Sequence, residues 1–253
     1  MKTVFITGAA QGIGLATAKR YASQGWFVGL YDINADGLDV LLRSGDFPNA
    51  CGKSCDVTRR GSIEEAFEHF SSHTGGRLDL LVNNAGVLSS GKFEEIDPAA
   101  HELIIDVNIR GLTNVAQLAF PLLQQTPDSC LGNLCSASSI HGVPLLAVYS
   151  ASKYFVNGLT EALHIEWAAH DIRVTSVKPP VINTAMGHQL DPSLTEKMGV
   201  NMQAADVAEA IEMAAGSSRV GHVLGSSARM WSWLDKLLPE AGRLRLVRYL
   251  TGH

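Results

Sequence analysis

Tyr149 and Lys153 stand four residues apart in Tyr149-Ser150-Ala151-Ser152-Lys153, at the start of a stretch with helical period. On a helix that spacing puts both side chains on one face. A free phenol ionises near pH 10, about three units too high to accept a proton at neutrality. A fixed ammonium nearby favours the phenolate. The pair is therefore a candidate general acid and base for interconverting an alcohol and a carbonyl. The bare spacing also arises by chance, as an exposed tyrosine beside a solvated lysine, so its weight comes from its surroundings. Ser136, thirteen residues upstream of Tyr149, ends an apolar run, where its hydroxyl can donate to a substrate oxygen.

A second set of residues suits a phosphate. Thr7-Gly8-Ala9-Ala10-Gln11-Gly12-Ile13-Gly14 lies between an apolar run and a helical pattern. Glycines at Gly8, Gly12 and Gly14 permit a tight turn, backbone approach to a pyrophosphate and close packing of helix on sheet. The N–H groups that open the helix then face the anion. Asp32 ends the next apolar run. A carboxylate there accepts hydrogen bonds from both adenosine ribose hydroxyls and repels a 2′-phosphate, which predicts NAD in preference to NADP. Asp32 has a plainer reading as the cap of the helix that follows.

The elements that must position these groups are short apolar runs alternating with helical periods. Strands are predicted over Lys2–Thr7, Phe27–Asp32, Ala50–Asp56, Leu78–Asn83, Leu131–Ser136, Ile172–Lys178 and Val220–Gly225. Helices are predicted over Ile13–Gln24, Ala35–Arg43, Ser62–His73, His101–Gln125, Val148–Ala169 and Ala204–Gly216. Nearly continuous apolar strands are those covered on both faces, so the alternation predicts a single α/β doubly wound parallel sheet of Rossmann type, flanked by helices. The glycine loop, Asn83-Asn84-Ala85-Gly86, Ser136 and Lys178-Pro179 all fall at strand carboxyl ends, where such sheets bind ligands. Residues 1–225 form this unit. Residues 226–253 read as an amphipathic C-terminal extension of it, two short helices broken near Pro239.

Composition narrows the function classes. The 253 residues are 46% hydrophobic with a formal net charge of −5. That balance opposes disorder and gives no basic field for nucleic acid. The extension carries +3 and the rest −8. A basic amphipathic tail can touch a membrane surface, but packing over the site or against another subunit is the expectation. No apolar run approaches the roughly 20 residues that cross a bilayer. The opening MKTVFITGAAQGIG reads as a strand and not a signal peptide. Four cysteines, Cys51, Cys55, Cys130 and Cys135, suggest reduced thiols in a cytoplasmic protein. Cys51 and Cys55 lack a second pair to complete a tetrahedral site, the nine histidines form no HExxH cluster, and no metal is expected.

Taken together these motifs resemble the classical short-chain dehydrogenase/reductase family, over about Met1 to Gly225. The matching residues are Thr7–Gly14, Asp32, Asp56, Asn83–Gly86, Asn108, Ser136, Tyr149 and Lys153. The resemblance implies reversible hydride transfer between a nicotinamide cofactor and a secondary alcohol or ketone. It makes Tyr149 the proton-exchanging group, Ser136 the holder of the substrate oxygen, and Lys153 a ligand of the nicotinamide ribose that depresses the tyrosine pKa. It implies that Asn108 holds a water serving Lys153, and that Asp56 and the Val57 backbone meet the adenine. Asn83, Ala85 and Gly86 would follow the adenosine and ribose, and Thr184, Ile182 and Pro179 the nicotinamide side, with Gln11 and Ile13 in the phosphate loop. It also implies a homo-oligomer, a tetramer or dimer built on the helices 101–125 and 148–169.

Two departures stand out. Pro179-Pro180 replaces the family's usual Pro-Gly, which removes an N–H and allows an altered path for Val181–Thr184. Cys135-Ser136 replaces Ser-Ser, with Cys135 a packed core residue. Leu88, Ile140, Val143, Leu145, Leu146, Met186, Leu190 and Met198 are expected to shape an apolar pocket for a hydrophobic or aromatic substrate, with His141 and His188 the polar exceptions. The rival reading is a catalytically silent dinucleotide-binding regulator on the same fold, against which the intact Ser136, Tyr149 and Lys153 set argues.

Overall fold

The computed structural model describes residues 1–200 and 202–251. Side chains alternate across each strand, so the sheet has two apolar faces and needs a helical layer on each. In β1 (Thr3–Thr7), Phe5 faces one layer while Val4 and Ile6 face the other. Phe5 stacks on Tyr31 at 4.1 Å and on Phe67 at 4.4 Å, beneath α3 (Arg60–Thr74) and α5 (Leu112–Gln125). Val4 and Ile6 share the other core with Ala18 of α1 (Gly12–Ser23), Leu38 of α2 (Ala35–Arg43), and Val207 and Ile211 of α8 (Ala204–Ala215).

The remaining strands are β2 (Phe27–Asp32), β3 (Ala50–Ser54), β4 (Leu80–Asn83), β5 (Ser129–Leu134), β6 (Ile172–Lys178) and β9 (Gly221–Val223). They lie in the order β3-β2-β1-β4-β5-β6-β9, every neighbouring pair parallel. The chain leaves β1 toward β2 and returns on its other side as β4, which opens a crevice at the carboxyl ends of β1 and β4. This is the seven-stranded sheet expected. Asp56 and Ser136 fall just past β3 and β5 instead of inside them, because the ladder ends at Ser54 and Leu134.

The expected helix 101–125 is longer and irregular. Asp97 caps α4 (Pro98–Ile105) by accepting from the Ala99 N–H, with Pro98 in the first turn. A π-helical turn, Asp106–Gly111, then joins α4 to α5. Such turns concentrate at functional sites, and this one carries Asn108. A two-residue parallel pair, β7 (Ile182–Asn183) with β8 (Met202–Gln203), was not legible as strand. α6 (Ala147–Glu166) and the short α7 (Pro192–Met198) complete the elements around the crevice.

The extension forms α9 (Ser226–Leu237) and α10 (Glu240–Thr251), broken at Pro239 as expected. α9 packs on β9 and α10 on α7. Ala228 and Val247 are buried, whereas Trp233, Leu237, Leu244 and Tyr249 face outward. Among the described residues no helix is long and apolar enough to cross a membrane. The side chains of Met198, Lys236 and Leu250 lie outside those described.

Candidate active site

The glycine loop is held by close approach. Gly8 and Gly12 have φ of +66° and +56°, which L side chains resist. A Cβ on Gly14 would stand 2.0 Å from the Gly8 carbonyl oxygen. α1 opens with Gln11 extended, no side-chain cap and no acidic residue in its first turn. Its first N–H groups therefore keep their capacity for an anion. A turn packed so closely that Gly8 and Gly14 have no room for a side chain, ending in an uncapped helix start, fits the pyrophosphate of a dinucleotide.

Asn84 fixes this loop, a role the sequence reading left unassigned within the Asn-Asn-Ala-Gly run. Its amide donates to the carbonyls of Thr7 at 2.8 Å and Gly8 at 3.1 Å. The Thr7 hydroxyl in return accepts from the N–H groups of Asn84 and Ala85, each at 3.0 Å. Asn83 is turned away: its buried amide donates to the Leu112 carbonyl at 2.9 Å, so only its backbone can meet a ligand. Asp32 is not the cap of α2, because Asn34 accepts from the Gly37 N–H in that role. Instead the Asp32 carboxylate accepts from Ala10 N–H at 2.9 Å and Asn34 N–H at 3.0 Å, tying the loop to the end of β2. Each oxygen keeps a lone pair for a further donor. Asp56 accepts from the Thr58 N–H and hydroxyl, while Val57 packs under Gly111 of the π turn.

Gly86, Ser136, Tyr149 and Lys153 line one cleft with Ile13, Asn84, Pro179, Ile182 and Thr184. Burial pushes the Tyr149 phenol up to about 12, and its hydrogen bond with Ser136 pulls the other way. The Lys153 ammonium donates to the Leu134 carbonyl at 2.9 Å and sits over the Tyr149 ring, 5.6 Å from its centroid. It meets the face of the ring and not the oxygen. With no cofactor bound, burial dominates the phenol's pKa. Burial also pushes Lys153 itself down. Asn108 donates to the Val87 carbonyl at 2.9 Å and the Ser152 hydroxyl at 3.1 Å, and accepts from the Val87 N–H at 2.9 Å. It thus clamps the loop after β4 onto α6.

Pro180 does not carry the following loop away from the site. The Pro179 carbonyl accepts from Ala137 N–H at 2.9 Å, and Ile182 and Thr184 still reach the cleft, with Thr184 packed beside Gly12. Thr184 caps the turn beyond by accepting from Gly187 N–H at 3.2 Å. Of the apolar residues expected to shape the pocket, Leu88, Val143, Leu146, Met186 and Leu190 line the cleft. Leu145 instead packs behind it, with a strained φ of +65°. His188 bonds to Asn183 at 2.9 Å, and His141 feels the Asp235–Arg243 pair of the extension. Ser138, also in the cleft wall, has a buried hydroxyl with no protein partner.

The sheet, the glycine loop at its switch point and the Ser136–Tyr149–Lys153 group at the strand ends together have the form of a dinucleotide-binding α/β protein. The short chain dehydrogenase family model matches residues 2–195, and the chain belongs to that family. The family's members are oxidoreductases that bind a nicotinamide dinucleotide and act on small molecules. D-threitol dehydrogenase of Mycolicibacterium smegmatis is 30% identical over 190 residues, 74% of this chain and 73% of its own. The 3-oxoacyl-(acyl-carrier-protein) reductase of Thermotoga maritima is 34% identical over 197 residues, 77% of this chain and 80% of its own. The 3-ketoacyl-(acyl-carrier-protein) reductase of Brucella melitensis, solved with NADH, superposes with a TM-score of 0.80 at 26% identity, covering 88% of this chain and 96% of that one.

Proposed function

We propose that this chain is an NAD-dependent dehydrogenase/reductase interconverting a hydrophobic or aromatic secondary alcohol and its ketone. The observation that supports this most is the meeting of Ser136, Tyr149 and Lys153 in an apolar cleft continuous with the glycine loop. A bound nicotinamide dinucleotide supplies the hydride acceptor or donor. Ser136 donates to the substrate oxygen, and Tyr149 takes the alcohol proton in oxidation or returns it to the ketone oxygen in reduction. Lys153 holds the nicotinamide ribose and keeps positive charge on the phenol's flank, which favours the phenolate. Asn108 positions the Val87 loop and offers its remaining acceptor capacity to a water that serves Lys153. Gly8, Gln11, Gly12, Ile13 and Gly14 hold the pyrophosphate. Asp56, Val57, Asn83, Ala85 and Gly86 follow the adenosine half, and Pro179, Ile182 and Thr184 the nicotinamide half.

Residues 226–253 belong to the same domain, and α10 backs α7, whose Leu194 packs with the cleft residues Val143, Leu146 and Leu190. The protein works as a cytoplasmic homo-oligomer, with exposed Phe155 and Ile165 on α6 offering the subunit contact. Asp32 makes NAD the preferred cofactor. We expect kcat/KM for NAD to exceed that for NADP at least about tenfold, since a phosphate beside an unpaired carboxylate loses more than about 1.4 kcal/mol. Asp32→Ala should narrow that ratio. Steady-state kinetics with both cofactors check this, and higher efficiency with NADP in the unaltered protein would overturn the preference.

A further inference from the structure

Cys51 on β3 and His69 and His73 on α3 take no part in the cleft, yet they converge. Cys51 Sγ and one ring nitrogen from each histidine all lie within 4.8 Å of one another. The histidines are one helical turn apart and their ring centroids are 4.7 Å apart. His73 Nδ1 lies 2.8 Å from the His69 carbonyl. A carbonyl only accepts, so Nδ1 carries the proton and Nε2 keeps a free lone pair. The Tyr31 hydroxyl joins the group, 3.0 Å from His69 Nδ1 and 3.5 Å from Cys51 Sγ. Cys51 is buried, His69 half-buried and His73 exposed, so the group opens to solvent along the outer side of α3.

We propose that Cys51, His69 and His73 form a binding site for a divalent cation of the zinc class, with a solvent molecule as fourth ligand. One thiolate and two imidazoles make a borderline-soft donor set of the kind zinc takes. Tetrahedral bonds of about 2.0–2.3 Å set ligand atoms about 3.5 Å apart, so the group must close by about an ångström. His73, exposed but held at Nδ1 by the His69 carbonyl, and the half-buried His69 must supply that movement. Tyr31 is placed to hold a ligand in position from the protein side, as outer partners of metal ligands do. Binding releases the Cys51 thiol proton to solvent as the sulfur–metal bond forms. Cys55, the nearest cysteine in sequence, stands outside the group.

The test uses the untagged full chain, freed of metal by chelator and titrated with Co(II) chloride and then Zn(II) chloride. The site predicts one Co(II) per chain, visible bands of tetrahedral intensity and a near-ultraviolet thiolate-to-cobalt band, all lost on adding Zn(II). Cys51→Ser should abolish the thiolate band. His73→Ala, at an exposed position that leaves folding intact, should weaken Co(II) binding at least about tenfold. It should also remove the rise in Tm that Zn(II) gives the unaltered chain. Absence of the thiolate band, or equal Co(II) binding by the unaltered chain and His73→Ala, overturns the site.

Discussion

Tyr149→Phe is expected to lower kcat for alcohol oxidation at least about a thousandfold, the range a positioned general base supplies. The KM for NAD should stay within about threefold, because the lost hydroxyl serves the chemical step and not uniform binding. Folding should suffer little: one hydrogen bond to Ser136 is removed, a loss of about 1 kcal/mol. The pH dependence carries a sign that separates this role from a structural one. With the phenol at about 12, it is almost wholly protonated near neutrality, about one group in 10⁵ being ionised at pH 7. Oxidation needs the phenolate, so its rate should climb about tenfold per pH unit across the neutral range until another step limits it. Reduction uses the neutral phenol as acid and should be level there. Tyr149→Phe should flatten the oxidative limb. Initial rates of NADH formation and consumption from pH 6 to 10 check both limbs. Oxidation that persists in Tyr149→Phe with its pH slope intact would remove Tyr149 from the acid–base role and favour the silent-regulator reading.

The parts of this fold that repeat were the parts that could be read. The central strands β1, β4 and β5 are buried along their length and read as apolar runs, and the long helices show a period, so sheet and layers were legible without any coordinate. Elements whose reason lies in tertiary packing were not. The π turn at Asp106–Gly111 has no period of its own; it exists where Gly111 must lie against Val57, at 2.9 Å from where its Cβ would stand. The Ile182–Met202 pairing joins residues twenty apart through two-residue strands, too short for alternation to register. At the site, residue types marked the chemistry but not the direction of each side chain. Asn83 and Asn84 are identical in type and adjacent, yet one amide faces α5 and the other holds the glycine loop. Lys153 likewise lies on the expected helix face beside Tyr149, while its ammonium is directed by the Leu134 carbonyl, a backbone group no motif displays. The Cys51–His69–His73 group escaped for a related reason: its ligands come from two elements whose contact only the fold supplies.

Gly14→Ala is expected to reduce NAD affinity at least about a hundredfold and to destabilise the chain by about 3 kcal/mol, the upper end for forcing atoms into a packed place. The cause is not helix propensity, which favours Ala by about 1 kcal/mol. It is the Gly8 carbonyl, 2.0 Å from the new Cβ, with the Asn84 amide at 2.7 Å. Neither can yield cheaply, because that amide already donates to the Thr7 and Gly8 carbonyls. The whole loop must lift from α1, moving the N–H groups that would meet the pyrophosphate. Gly61→Ala supplies the contrast. Gly61 lies in α3 with nothing within 4 Å of its Cβ position, so Ala there should raise Tm and leave NAD binding unchanged. Calorimetric titration with NAD and thermal unfolding of both variants measure the two effects. If Gly14→Ala bound NAD as tightly as Gly61→Ala, the phosphate would have to sit somewhere other than this turn, and the placement of the nicotinamide beside Tyr149 would lose its anchor.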